Sequence, residues 1–410
     1  MELAAKMCEI VQAEKRGRIL SEADIMRAIT NSGDGGSGYV NEYSALTNPA
    51  VFQTVLNFMI AAMLPKHLFQ RNEDGTKKRI YRHPLNRILS LAWNPKLNHY
   101  DAWCMFIANY VLRGKAFAQI IRNNRGQIIE LWPINPNFVT VEDAGLELKF
   151  HVNAPNAPMM TVQQSDMLFM FGFRLEGWQP FSMVQLGSDT ISTGLAMDQY
   201  MSKFFTAGGS LRGALRYPQG MKPDQITLAE ESWKRANGGI GNLQKVAVLP
   251  GGAEYQTIGV DPEKAQMTSA RISNVQDVSR FSNTPPSRLN EHSNSTLKNV
   301  EQQGIEFVQY VLSPLITNIE STMNMQCLTR EEQDNGYYIE FNVDGLLRGD
   351  FKSRYEAYAI AIQNTIMTPN EVRAKENLNP RPGGDEVIMG SGMQTKSMQE
   401  ATDNEEIYNL

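Results

Sequence analysis

The side chains that could do chemistry are present but scattered. Glu340, Asp344 and Asp350 lie near one another and make the best case for a carboxylate metal site. A strand end followed by a helix N-cap accounts for them better, because an N-cap Asp accepts hydrogen bonds from the free amides of the first turn. The five histidines, His67, His83, His99, His151 and His292, are spread along the chain. His99 and Cys104 could face each other across a helix turn, but no further ligand pair accompanies them, and a structural zinc takes four. There is no GxxxxGK phosphate loop ending in Ser or Thr, no GxSxG and no HExxH. Gly33-Asp34-Gly35-Gly36-Ser37-Gly38 fits GxGxxG. That pattern holds a dinucleotide only between a strand and a helix, whose N-terminus meets the pyrophosphate. Here it follows a helix-like stretch, Ser21 to Ile29, and precedes polar, extended Tyr39 to Glu42, so it reads as a flexible linker. The residues thus predict no catalytic centre, no metal and no cofactor.

The elements around them are numerous. A chain of 410 residues predicts two to four structural units. Hydrophobic residues at 42% against 20% charged are enough for a large core. Lys plus Arg total 39 and Asp plus Glu 44, a formal charge of −5. A protein built to grip duplex DNA carries the opposite excess, so tight DNA binding is disfavoured while loose passage of DNA is not. Cys8, Cys104 and Cys327 are few, odd in number and far apart, which fits a reducing compartment. Met1 to Arg18 has no continuous apolar run, and Phe58 to Leu64, the longest, stops at Pro65, too short to cross a bilayer.

The pattern predicts a helical then Gly-rich arm over 1–39. Asn48-Pro49 then caps a helix to Leu64 with a broad apolar face. A hairpin follows, Leu68 to Arg71 and Lys77 to Tyr81. Seven Lys or Arg stand against two acids between Lys66 and Arg87, which we read as a solvated hairpin tip rather than a nucleic-acid contact. Asn98 caps a second helix, Tyr100 to Arg113, closed by Gly114. Strands are expected at Ala116 to Arg122, Gln127 to Trp132, Phe138 to Glu142, Leu146 to Val152 and Met167 to Phe171. A long helix, Phe181 to Thr206, ends at Gly208-Gly209. Two helices, from Asp224 to about Ala236 and from Asp261-Pro262 to about Phe281, flank a small hairpin, Lys245 to Leu249 and Glu254 to Val260. Thr284-Pro285-Pro286 opens an irregular loop, and a helix from Leu297 to Gln326 should kink at Pro314. Tyr337 to Val343 is a strand, Phe351 to Gln363 a helix, and Thr368-Pro369-Asn370-Glu371 a capping box. Residues 391–410 form an acidic, disordered tail. The fold class is α+β: a broad body carrying a stalk with a tip, with long side faces suited to packing in a ring.

A set of motifs in fixed order then carries a resemblance. They are Ala45-Leu46-Thr47-Asn48-Pro49-Ala50-Val51, His83-Pro84-Leu85 with Trp93-Asn94-Pro95, Gly114-Lys115-Ala116-Phe117 and Leu131-Trp132-Pro133-Ile134. Pro285-Pro286-Ser287-Arg288-Leu289 and Thr368-Pro369-Asn370-Glu371-Val372-Arg373 complete the series. From about Ser44 to Asp385 the sequence resembles the portal protein family of tailed phages, in its HK97-like branch. It departs where the family often has Gly-Asn-Ala-Tyr, at 114–117, and Gly-Val-Pro-Pro, at 283–286.

The resemblance implies a wing (40–221 and the second part of 299–366), stem helices (222–238 and 262–283), a clip (239–261), a tunnel loop (284–298), a long kinked helix and a helical crown (367–390). It implies a ring, a dodecamer in the virion, at the capsid portal vertex, assembled in the host bacterial cytoplasm. Double-stranded DNA would pass through the channel without sequence specificity. Large terminase would dock first, a head-completion adaptor later, with major capsid or scaffold protein around the ring and no membrane. The expected loop residues are Thr284, Ser287, Arg288, Leu289, Asn290, Glu291, His292, Ser293 and Asn294, with Arg288 as the phosphate contact and His292 as an ordinary polar loop residue. Gly251, Gly252 and Glu254 are the expected terminase-facing clip residues. A packaging ATPase or nuclease, or a capsid-associated scaffold without a channel, are the competing readings; the chain offers the first no phosphate loop.

Overall fold

The structure is a computed structural model that describes residues 40–72, 76–155, 158–206, 213–216, 224, 226–228, 230–231, 254–257, 264–291, 297–343, 351–376 and 378–386. The chain divides into two compact units after Asn342.

The first unit opens with α1 (Glu42–Ala45) and α2 (Pro49–Met63). The Asn48 side chain accepts from the amides of Ala50 and Val51, and Pro49 takes a first-turn position where its missing N–H costs nothing. The β1 (Lys66–Arg71) and β2 (Lys77–Arg79) hairpin follows, then α3 (Leu85–Ser90) and a short bulged pair, β3 (Ala92–Asn94) with β4 (Leu97–Asn98). Helix α4 (His99–Arg113) is capped by Asn98 and ends at Gly114, φ +72°. The Phe181 backbone packs where a Cβ on Gly114 would stand, so both conformation and space demand glycine there.

Besides two-stranded pairs, three three-stranded antiparallel sheets occur among the described residues of this unit. One has the order β13 (Tyr337–Phe341)–β1–β2. The second is β10 (Met167–Phe171)–β5 (Lys115–Arg122)–β6 (Ile128–Ile134). The third is β7 (Val139–Asp143)–β8 (Leu148–Val152)–β9 (Met160–Gln163). Phe117, Ile134 and Phe169 of the second sheet pack with Phe150, Val152 and Val162 of the third. A separate aromatic knot joins Trp93, Trp103, Phe106 and Phe341 edge to face at 5.0–6.0 Å between ring centres.

Several expectations need revision. The helix over Phe181–Thr206 is two, α5 (Met183–Leu186) and α6 (Ser188–Thr206). Ser182 and Gln185 form a capping box that starts the first only at Met183, and Gly187 lets the Phe281 ring approach between them. Strand β11 (Gly213–Arg216) pairs with β12 (Glu254–Thr257), register Arg216↔Glu254. Glu254 begins a strand as expected, but the partner described for it is β11 rather than a neighbour in the same hairpin. Helix α7 (Lys264–Ser282) ends where expected.

The long helix is α8 (Leu297–Phe307), a wide π turn over Val308–Leu312, and α9 (Ser313–Cys327). Its irregularity lies before Pro314, not at it. A proline ring collides with the carbonyl four residues back and offers it no N–H, so the preceding turn loosens. The Ser313 amide and Oγ both donate to the Val308 carbonyl, Oγ at 2.8 Å, which satisfies one freed acceptor. Helix α10 (Arg330–Asp334) leads into β13. Among the described residues no helix is long and apolar enough to cross a membrane.

The second unit holds α11 (Phe351–Gln363) and α12 (Pro369–Lys375). Thr368 and Glu371 form the expected capping box. Buried Asn370 exchanges hydrogen bonds with the Arg381 backbone and also donates to Asp385, pinning the Pro-Arg-Pro-Gly-Gly turn to the helix.

The arm over 1–39, the acidic tail, Gly251 and Gly252, Lys245 to Leu249, Asp261-Pro262, and Asp344 with Asp350 lie outside the described residues.

Candidate functional site

The segment expected to face a channel begins at the end of α7. This helix is polar and mostly exposed over its first half, but its end enters the core: Val278, Ser279, Ser282 and Thr284 are buried. Its grip on α6 is polar. Asn274 Nδ2 donates to the Thr190 carbonyl at 2.8 Å, and Arg271 pairs with Asp198 at 2.9 Å. Gly194 permits the crossing, since a Cβ there would come within 2.6 Å of the amides of Asn274 and Asn48.

After Ser282 the chain reverses through Asn283, φ +52°. The Thr284 amide donates back to Ser279. Pro286–Leu289 form one 3-10 turn, closed by Asn290 in the left-handed region at φ +61°. The first half of the expected irregular loop is thus an ordered turn. Two prolines fix successive φ values, and Asn is the residue type that best tolerates the reversal that follows.

The turn is fastened from two sides. Asn57 of α2, itself buried, donates Nδ2 to the Arg288 carbonyl at 2.9 Å. The Arg288 guanidinium lies over the Phe307 ring at 5.4 Å, and its Nη2 would come within 3.3 Å of a Cβ on Gly304. Leu289 is buried, and the Glu291 amide donates to the Pro286 carbonyl at 3.0 Å. Thr284 and Leu289 therefore face the interior of the unit, whereas Ser287, Arg288 and Glu291 are half-buried and Asn290 is exposed. His292, Ser293 and Asn294 lie outside the described residues. Sequence reasoning missed Asn57, Gly304 and Phe307. The available signal was Asn57, a polar side chain on an apolar helix face, which must find a partner.

No group of three His, Cys, Asp or Glu able to hold a metal occurs among the described residues. Cys104 and Cys327 are free thiols, and burial pushes Cys327 up to about 12, far from a reactive thiolate. Glu340 pairs with Lys77 at 3.1 Å.

The geometry is that of a positioned turn between two long helices. The family model for phage portal proteins matches residues 59–377. The chain belongs to the phage portal protein family. Among curated portal proteins, that of Enterobacteria phage HK97 is 26% identical over 355 residues, covering 85% of this chain and 83% of its own. The probable portal protein of Streptomyces phage phiC31 is 32% identical over 222 residues, 53% of this chain and 48% of its own. The latter match spans about half the length of that relative. The portal fold is also evident in solved structures. An HK97-family portal protein from Corynebacterium diphtheriae superposes with TM-score 0.57 at 17% identity, over 76% of this chain and 98% of its own. A chain from the neck of an empty gene transfer agent particle gives 0.59 at 16%, over 89% and 99%.

Proposed function

We propose that this portal-family chain assembles into a closed ring, twelve copies in the particle, at one vertex of a capsid, and that double-stranded DNA is packaged and ejected through the ring's centre. The role is structural rather than catalytic. The observation that carries the reading is the family match, which runs through both long helices and the turn between them. The gene transfer agent neck whose chain this fold resembles has been solved with C12 symmetry.

In this reading, residues 40–221 and 330–366 form the wing, 222–238 and 262–283 the stem, 239–261 the clip, 284–298 the channel loop and 367–390 the crown. The pairing of β11 with β12 adds residues 213–216 to the clip. Large terminase docks at the clip around Gly251, Gly252 and Glu254 and later gives way to a head-completion adaptor, while capsid or scaffold protein surrounds the wing. A conduit must not hold what it passes. Twelve copies at −5 sum to about −60, which weakens non-specific retention of a polyanion. Arg288 is the cation of the turn, and its place over Phe307 limits how far it can follow a passing phosphate.

Native mass measurement with negative-stain imaging tests the ring. Twelve times 46.1 kDa is about 553 kDa. An open-centred ring near that mass is expected when the protein is assembled with its capsid partners, and a closed dimer without a hole would refute the reading.

A further inference from the structure

The β1–β2 hairpin concentrates positive charge on a chain that is negative as a whole. All three residues of β2, Lys77, Lys78 and Arg79, are exposed, as are Arg71, Arg82 and Arg87. Strand β2 is the free edge of its sheet. Charged residues, lysine above all, protect such an edge from pairing, but Arg71, Arg82 and Arg87 lie outside the edge strand, so edge protection does not account for them.

The cations are also held in place. Register puts Phe69 opposite Arg79 and Arg71 opposite Lys77, which sets these four on one face. Lys77 Nζ stands 5.0 Å from the Phe69 ring centre, the Arg71 guanidinium 5.5 Å from Tyr338, and the Arg79 guanidinium 4.9 Å from Tyr81. An arginine stacked on an aromatic face keeps its N–H groups free at the edge of its plane and has less rotamer freedom left to lose on binding. Lys78 projects from the opposite face, opposite Gln70. Two nearby carboxylates among the described residues are engaged, Glu340 by Lys77 at 3.1 Å and Glu332 by His83 at 2.9 Å, while Glu73 and Asp74 lie outside the described residues. Among the described residues, no carboxylate lies within ion-pair distance of Arg71, Lys78, Arg79, Arg82 or Arg87.

These ring contacts reverse the sequence reading of a merely solvated tip: we propose that this hairpin is a nucleic-acid contact separate from the turn at 284–291, with Arg71, Lys78, Arg79, Arg82 and Arg87 engaging the phosphate backbone of duplex DNA without reading sequence. Alternate residues of an extended strand repeat roughly every 7 Å, and the ribbon presents cations from both faces. A uniform polyanion satisfies such an array. An acidic protein surface would have to match five separate positions. The contact depends on the hairpin within one subunit and not on ring closure, so it stands or falls independently of the ring.

The test is fluorescence anisotropy of a labelled 30-bp duplex with the full chain, titrated from 50 to 200 mM salt. Wild type should bind with a steep salt dependence. The variant Arg71→Gln/Lys78→Gln/Arg79→Gln/Arg82→Gln should lose roughly ten-fold or more in affinity at 50 mM, and its log–log salt slope should fall by about 3 to 4, near 0.9 per phosphate contact. Lys78→Gln/Arg82→Gln, which removes no ring contact, should show about half that slope change. Arg125→Gln/Lys149→Gln, cations elsewhere on the unit, should bind as wild type. Equal loss in that control, an unchanged slope in the four-site variant, or no duplex binding by wild type at 50 mM would each overturn the proposal. So would a four-site variant that binds DNA normally yet fails to enter capsids, which would assign the patch to an acidic protein partner.

Discussion

Lys66 is the one charged side chain buried among the described residues, and replacing it by methionine tests the cost of that burial. It opens β1, is 2% exposed, and its Nζ donates to the carbonyls of Ala62 and Leu64 at 2.8 and 2.9 Å. The ammonium also stands 5.2 and 4.9 Å from the ring centres of Trp103 and Phe341. Burial pushes its pKa from 10.5 down to about 7, only partly opposed by Cys104. His99 is the other titratable group that feels its charge. A cation whose folded pKa lies below its unfolded value binds its proton more tightly when unfolded, so stability rises with pH between the two values. At 1.36 kcal/mol per unit the full span is about 5 kcal/mol, of which about 2 to 3 kcal/mol falls between pH 7.5 and 9.5. Lys66→Met removes the titration but leaves the Ala62 and Leu64 carbonyls unpaired, at about 1–3 kcal/mol each. These effects nearly cancel at pH 7.5, so the pH slope is the diagnostic quantity. Urea unfolding followed by tryptophan emission reports it, because Trp93 and Trp103 pack beside the site. Wild type should gain about 2 to 3 kcal/mol over that interval relative to Lys66→Met. Parallel pH profiles would refute the reasoning, and would mean that the helix carbonyls and aromatic rings hold the charged form outright.

Three further outcomes are expected. Asn57→Leu leaves the Arg288 carbonyl without its donor and should cost about 1–3 kcal/mol in urea unfolding; no loss would show that the turn is not held from α2. Deleting 287–289 should abolish folding of the first unit, since it removes buried Leu289 and the acceptor of Asn57, whereas deleting 292–294 should leave assembly intact and impair DNA packaging. Thr368→Ala should speed hydrogen exchange at the Glu371 amide about five-fold, the equivalent of about 1 kcal/mol for an N-cap, and unaltered exchange would remove the capping role.

Local chemistry was legible in the sequence because it is read from neighbours. Asn48-Pro49, Asn98 with Gly114, and the Thr368 box set helix ends within a residue, since each cap satisfies amides only two or three positions away. Non-local pairing was not legible. Strand β13 joins β1 across more than 260 residues, and β12 joins β11 with Glu254 opposite Arg216. Nothing in the alternation of a strand names its partner. The site was half legible. The prolines marked the start of the segment, but composition alone read Ser287 to Asn294 as an open polar loop. Leu289 was the residue out of keeping with that reading, and the structure buries it against the unit.

The fastening of this turn has a consequence for how a displacement could travel. Helix α7 reaches the turn at 284–291 through Ser279 and Thr284, and the turn is tied to α2 by Asn57 and to α8 by Arg288 over Phe307. The π turn at Val308–Leu312 lies immediately beyond that ring. Wide turns have poorer hydrogen-bond geometry than the helices on either side, so a rotation of α8 is absorbed there more cheaply than within α9. A push on the start of α7 would therefore move the turn together with α8 and leave α9 in place against β10 and β13, where Gln326 exchanges hydrogen bonds with the Phe169 backbone and the Ile339 amide donates to Asn324. Pro314 is what places that joint one turn from the site: restoring an N–H with Pro314→Ala lets the helix close to regular geometry and should couple α8 rigidly to α9 and the β10 and β13 strands it packs on.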